Sequence, residues 1–202
     1  MKRLLPALLL ALLAGCTPKP PIWIYTGSTD ASLATVKGAT FHLAPIGKLE
    51  LHDFKRAFVK KYGSEEEFLK VFQADLQAQL AQDAGGETFE LELPVLNVDN
   101  AIETTTMMMG GGPGMPMTPH TVSKEYCVIR MDYRVKGKDG AILLQGQVCE
   151  STAKGDFLHP NQAKLAHAVA GAQKHLVDYL RGRMAAESIT ALSAAAPAQP
   201  LK

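Results

Sequence analysis

The sequence predicts an α+β domain: a mostly antiparallel sheet with long helices packed on one face and elements in the order β-α-β-β-β-α. Two long segments repeat apolar residues every three to four positions. Strand-like segments follow one another between them, and a turn, Gly137-Lys138-Asp139-Gly140, joins the last two.

The first strand is expected over residues 40–46, where apolar alternation is partial. A short helix is expected over 53–62, with Phe54 and Phe58 one turn apart and Gly63 as its stop. Ser64-Glu65-Glu66-Glu67 then forms a capping box, with Ser64 as N-cap and acidic residues that suit the positive end of the helix dipole. Phe68, Val71, Phe72, Leu76 and Leu80 give that helix one apolar face, and Gly85-Gly86 ends it. Capping fully accounts for the three glutamates, so they do not suggest acid–base chemistry.

Phe89, Leu91, Leu93 and Val95 alternate with Glu90, Glu92 and Pro94, the pattern of a half-buried strand. Pro94 lacks a backbone donor and places this strand at an edge or at its end. Residues 102–106 are expected to resume it. Residues 125–136 and 141–151 form the expected hairpin. The chain holds three cysteines, and two of them, Cys127 and Cys149, fall in its two strands. A three-residue loop would set these thiols directly opposite each other, close enough for a disulfide staple. The last helix is expected over 161–186, with Leu165, Val169, Ala172, Leu176 and Leu180 as its buried stripe and Pro160 near its start.

The chain of 202 residues begins Met1-Lys2-Arg3, runs apolar from Leu4 to Leu13, and reaches Leu13-Ala14-Gly15-Cys16. A positive start, a short apolar stretch and small residues describe a secretory signal peptide over residues 1–15. The tetrad resembles the lipobox of bacterial lipoproteins. That resemblance implies cleavage before Cys16, diacylglycerol on its sulfur and an acylated new amino terminus, the palmitate-type anchor of the family. With Thr17 rather than Asp after the cysteine, it also implies the outer membrane, facing the periplasm. Two or more acyl chains anchor stably where one does not. The segment 16–34, with Pro18-Lys19-Pro20-Pro21, reads as a stiff tether. Within it, Ile22-Trp23-Ile24-Tyr25 either rests at the lipid interface or docks on the domain as an edge strand. The domain spans 35–186, and an Ala/Pro tail over 187–202 is expected to be disordered. The strand and helix order over 35–185 resembles the small α/β domains of periplasmic accessory lipoproteins, of the envelope-transport auxiliary or assembly type; no site residue follows from it.

The chain carries 21 basic and 20 acidic residues. So even a balance argues against a basic footprint for nucleic acid and against a polybasic patch for lipid. The lipid bilayer, through Cys16, and an envelope protein are the expected partners. An exported pair of cysteines is expected to be oxidised, so the disulfide would be structural. No nucleophile elbow, P-loop or His-x-x-x-His occurs, so no enzyme and no cofactor is expected.

One segment stands apart. Residues 104–120 hold the run Met107-Met108-Met109, then Gly110-Gly111-Gly112-Pro113-Gly114-Met115-Pro116-Met117-Thr118-Pro119-His120. Thioethers with an imidazole suit Cu(I), and Met115, Met117 and His120 form the tightest candidate set. Two other readings stand beside it: a loop whose methionines contact a partner or lipid, and a connection with no role. The chain is thus expected to be a non-enzymatic accessory or binding lipoprotein, with a periplasmic Cu(I)-binding module as the alternative.

Overall fold

The computed structural model describes residues 23–26, 34–82, 85–109 and 118–183. Among them are seven strands: β1 (Trp23–Thr26), β2 (Thr40–Leu43), β3 (Lys48–Leu51), β4 (Thr88–Glu92), β5 (Val95–Met109), β6 (Thr118–Lys136) and β7 (Ile142–Thr152). Besides a helical turn at 34–36, three longer helices accompany them: α1 (Lys55–Tyr62) and α2 (Glu65–Ala81) between β3 and β4, and α3 (Pro160–Leu180) after β7. Residues 1–22, 27–33, 83–84, 110–117 and 184–202 lie outside the described residues, and with them the expected signal peptide, most of the tether and the tail.

The fold class is α+β, as the sequence predicts. The sheet, however, is mixed rather than mostly antiparallel. β2 pairs β4 in parallel and β3 pairs β5 in parallel, while β6 runs antiparallel to β4, β5 and β7. The cause is the connection. The chain leaves β3, builds both α1 and α2, and only then returns to the sheet, and a crossover of that length lays strands parallel. β4 and β5 lie end to end along one side of β6, broken at Leu93-Pro94, where proline removes a donor. β2 and β3 break in step beside them. β1 pairs antiparallel with β7, Trp23 opposite Cys149. Of the two placements open for Ile22-Trp23-Ile24-Tyr25, the edge strand is the one observed over Trp23–Thr26.

Both long helices pack on one face of the sheet. Ser64 caps α2, its hydroxyl accepting the Glu67 backbone N–H at 3.1 Å. Phe68, Phe72, Leu76 and Leu80 are buried, whereas Val71 is 46% exposed. They meet Phe41, Leu91, Leu96, Ile129, Met131 and Val135 of the sheet and Leu165, Ala172, Leu176 and Leu180 of α3 in one core. The alanines of α3 let it lie close, and Ala168 and Ala172 are fully buried. Two side chains tie α2 to its neighbours. Gln77 bonds the backbone of β2 at both Leu43 N and Phe41 O, and the Gln173 amide of α3 donates to Phe72 O at 2.9 Å.

The expected disulfide is absent. Cys127 stands opposite Thr152, and Cys149 stands opposite Arg130. The strands are therefore offset by three residues from the register that would join the thiols. Two features cause it. The turn closes through Gly137 N–H to Ala141 O at 2.9 Å, one residue further along than expected, and a bulge follows between Val135 and Lys136. An odd offset sends the two side chains to opposite faces. Cys127 lies in the core beneath the helices, while Cys149 lies on the far face with Tyr126 and Val128. Both are free thiols, and burial pushes them up to about 12 for Cys127 and about 11 for Cys149. They are packed side chains rather than reactive thiols.

Candidate functional site

Outside the buried cluster of Tyr126, Val128 and Cys149, the far face of the sheet is polar, and most of its charged groups are paired. The Arg130 guanidinium pairs with Asp99 at 3.0 Å, Lys136 with Glu92 at 2.6 Å, and the Gln147 amide donates to Asp132 at 2.8 Å. Such pairs on an exposed sheet face describe a solvated surface, not a reactive centre. Among the described residues no group of three His, Cys, Asp or Glu side chains could hold a metal ion.

The distinctive feature is where β5 and β6 go. β3 leaves β5 at Val98, and β7 leaves β6 at Cys127. Beyond these points the two strands pair only with each other, from Ala101↔Tyr126 out to Met109↔Thr118. At about 3.4 Å per residue this ribbon reaches about 30 Å past the body of the sheet. Its base is fixed by the Tyr126 hydroxyl, which donates to Glu103 at 2.7 Å and is held above the usual phenol range by that carboxylate. Lys124 lies over the Tyr126 ring, 5.2 Å from its centre. Past Glu103 and Lys124 the character changes: residues 104–122 contain no Asp, Glu, Lys or Arg.

Apolar side chains stand exposed on both faces of the ribbon. Ile102 is 65% exposed and Met108 59% on the helix side; Met107 and Val122 are exposed on the other. Hydroxyls pair across the strands between them, Thr104 with Ser123 at 3.5 Å and Thr106 with Thr121 at 3.4 Å. A lone two-stranded ribbon is marginally stable in water, and its unpaired edges invite a partner. An uncharged arm of this length has the surface chemistry of a contact element.

The residues singled out in the sequence fall as follows. His120 is exposed on β6 and stands opposite Met107, so an imidazole and a thioether share one face of the ribbon. Met115, Met117 and Cys16 lie outside the described residues. Cys127 and Cys149 are not brought together. The ribbon itself was missed: the 104–120 segment reads as a loop, yet its threonines, β-branched and placed on both sides of the glycine run, favour strand.

A comparison with known protein families finds no match, and no curated protein is significantly similar to the chain in sequence.

Proposed function

We propose that the chain is a membrane-anchored, periplasm-facing lipoprotein of the outer membrane, whose α+β domain is a non-enzymatic accessory or binding module of the cell envelope. The observation that carries this reading is Leu13-Ala14-Gly15-Cys16 directly after the apolar run from Leu4. Acylation of Cys16 would hold the domain at the bilayer with no spanning segment, and no helix among the described residues is long and apolar enough to cross a membrane. Tethering raises the concentration of the ribbon near whatever else is fixed to that membrane. The uncharged ribbon, with Ile102, Met107, Met108 and Val122 exposed, is the contact element this role needs.

A photo-crosslinking residue in place of Met108, compared with one in place of Lys138 in the turn at the far end, tests it in living cells. Met108 should yield adducts with a defined envelope protein, and Lys138 none. The yield at Met108 should fall about tenfold or more when Cys16→Ser removes the anchor, because effective concentration is lost. No adduct at Met108, or equal yields at both positions, would contradict the reading.

A further inference from the structure

The ribbon is one of several features that leave the sheet at a single end. β3 stops at Leu51, level with Val98 and Ile129. β7 stops at Thr152, level with Cys127, and β1 starts at Trp23, level with Cys149. The start of α1 follows β3, and the link 153–159 with the start of α3 follows β7. All these points lie within a few residues of the ribbon's base.

This end has a surface unlike the rest of the domain. The link exposes Phe157 at 98% and Leu158 at 77%, the two most exposed large apolar side chains among the described residues. Beside them Arg56 and Lys60 of α1 face Leu158 and His159 across a shallow groove of about 230 Å³. Lys55 extends the cationic side of that groove, and Lys154 stands in the link itself. Elsewhere lysines and arginines such as Lys48, Arg130, Lys136, Lys164 and Lys174 are paired with carboxylates. Among the described residues Lys55, Arg56, Lys60 and Lys154 have no such partner, and neither do Lys61, Lys70 and Arg134; what sets this end apart is that its free cations stand beside Phe157 and Leu158. Two carboxylates lie nearby: Asp156, which accepts the backbone N–H of His159, and Asp53, which lines the groove beside Lys55 and Arg56 and leaves the patch net cationic.

We propose that the side of this end formed by α1 and the 153–159 link lies against an anionic lipid surface, with the ribbon running beside the bilayer rather than into it, Phe157 and Leu158 entering the headgroup layer and Lys55, Arg56, Lys60 and Lys154 set over lipid phosphates. Two large apolar groups amid unpaired cations fit that interface, where apolar burial and attraction to anionic headgroups add. The chain's own connectivity points the same way. Six residues lie between Cys16 and Trp23, so the two are at most about 25 Å apart when the segment is fully extended. β7 ends three residues beyond Cys149 on this side and begins seven residues before it on the side of the 137–141 turn, so an anchor at Cys16 lies nearer to this end. The orientation rests on the proposed acylation of Cys16; the affinity of the patch for lipid does not.

The test uses the full chain with Cys16→Ser, so that acylation plays no part. Leu158→Cys carries an environment-sensitive fluorophore, and Cys127 and Cys149 are buried and unreactive in the folded protein. Vesicles of phosphatidylcholine with phosphatidylglycerol should shift the emission to the blue, with apparent affinity about tenfold or more above that for phosphatidylcholine alone. Lys55→Glu/Arg56→Glu/Lys60→Glu should abolish that preference, high salt should weaken it, and a label at Lys138→Cys should stay silent. All the altered side chains are exposed, and an unchanged melting temperature verifies the fold. The proposal is overturned if the label at 158 ignores anionic vesicles, responds equally to both lipids, or responds to inorganic phosphate alone. It is also overturned if the response survives charge reversal or appears only when envelope protein is added. Since Cys16 is absent throughout, a negative result here leaves the acylation reading standing, and the converse holds.

Discussion

His175→Ala is expected to lower the stability of the domain by about 3 kcal/mol, the low end of what breaking a buried ion pair costs. Glu150 points from β7 into the helix-covered side of the sheet, with its side chain only 9% exposed. His175 Nδ1 lies 2.7 Å from Glu150 Oε2, an ion pair when the imidazole is protonated, and neither atom has a hydrogen-bond partner. The fold makes room for this carboxylate with a glycine. A Cβ at Gly171, one turn before His175 on α3, would come within 2.8 Å of Glu150 Cδ. Removing the imidazole leaves a carboxylate in the core with nothing to face, and the cost is that of an uncompensated charge rather than of the pair itself. Glu150→Leu/His175→Leu should therefore regain much of the loss, because replacing both partners with apolar groups is far cheaper than orphaning one. Urea denaturation of the single and double variants measures this. A single variant within 0.5 kcal/mol, on the order of an ordinary surface change, would show the pair to be unimportant.

Gly47→Ala should cost about 2–3 kcal/mol, the upper range for forcing extra volume into a packed place. Gly47 lies between β2 and β3, where its backbone N–H donates to Leu93 O at 3.0 Å, and the next, that of Lys48, donates to Pro94 O at 2.9 Å. A Cβ there would sit 2.4 Å from Pro94 O, a backbone atom that no rotamer change can move. The two broken strands approach so closely because each must bend past the other's proline-containing break, and glycine permits it. Gly85→Ala is the control, since a Cβ there meets nothing within 4 Å; it should leave stability unchanged or slightly raise it. A Gly47→Ala protein as stable as the parent would mean that these strands separate freely.

Both effects come from contacts between segments far apart in the chain, which is also where the sequence was hardest to read. The helices were legible because their signals are local: Ser64 with Glu67 marks a start, and the spacing of Phe68, Phe72, Leu76 and Leu80 marks a face. Even there Val71 fits the spacing yet is half exposed, since the buried stripe of α2 is narrower than the apolar one. The parallel pairing of β2 with β4 and β3 with β5 has no local signature, and β3 is too short to show alternation. For Cys127 and Cys149 loop length alone does not determine the pairing. Opposed positions follow from loop length only when the strands contain no bulge, and the bulge beside Lys136 undoes the parity. The ribbon has no periodic signature, because Thr104 to Met108, exposed on both faces, shows no alternation.

The central claim is that Cys16 is the amino-terminal residue of the mature protein and carries the membrane anchor. Mass spectrometry of the amino-terminal peptide, taken from protein purified out of the membrane fraction, tests it most directly. The peptide should begin at Cys16 and carry a diacylglyceryl group on the sulfur together with an amide-linked acyl chain. A peptide that begins at Met1, or one that contains Cys16 without lipid, would contradict the account.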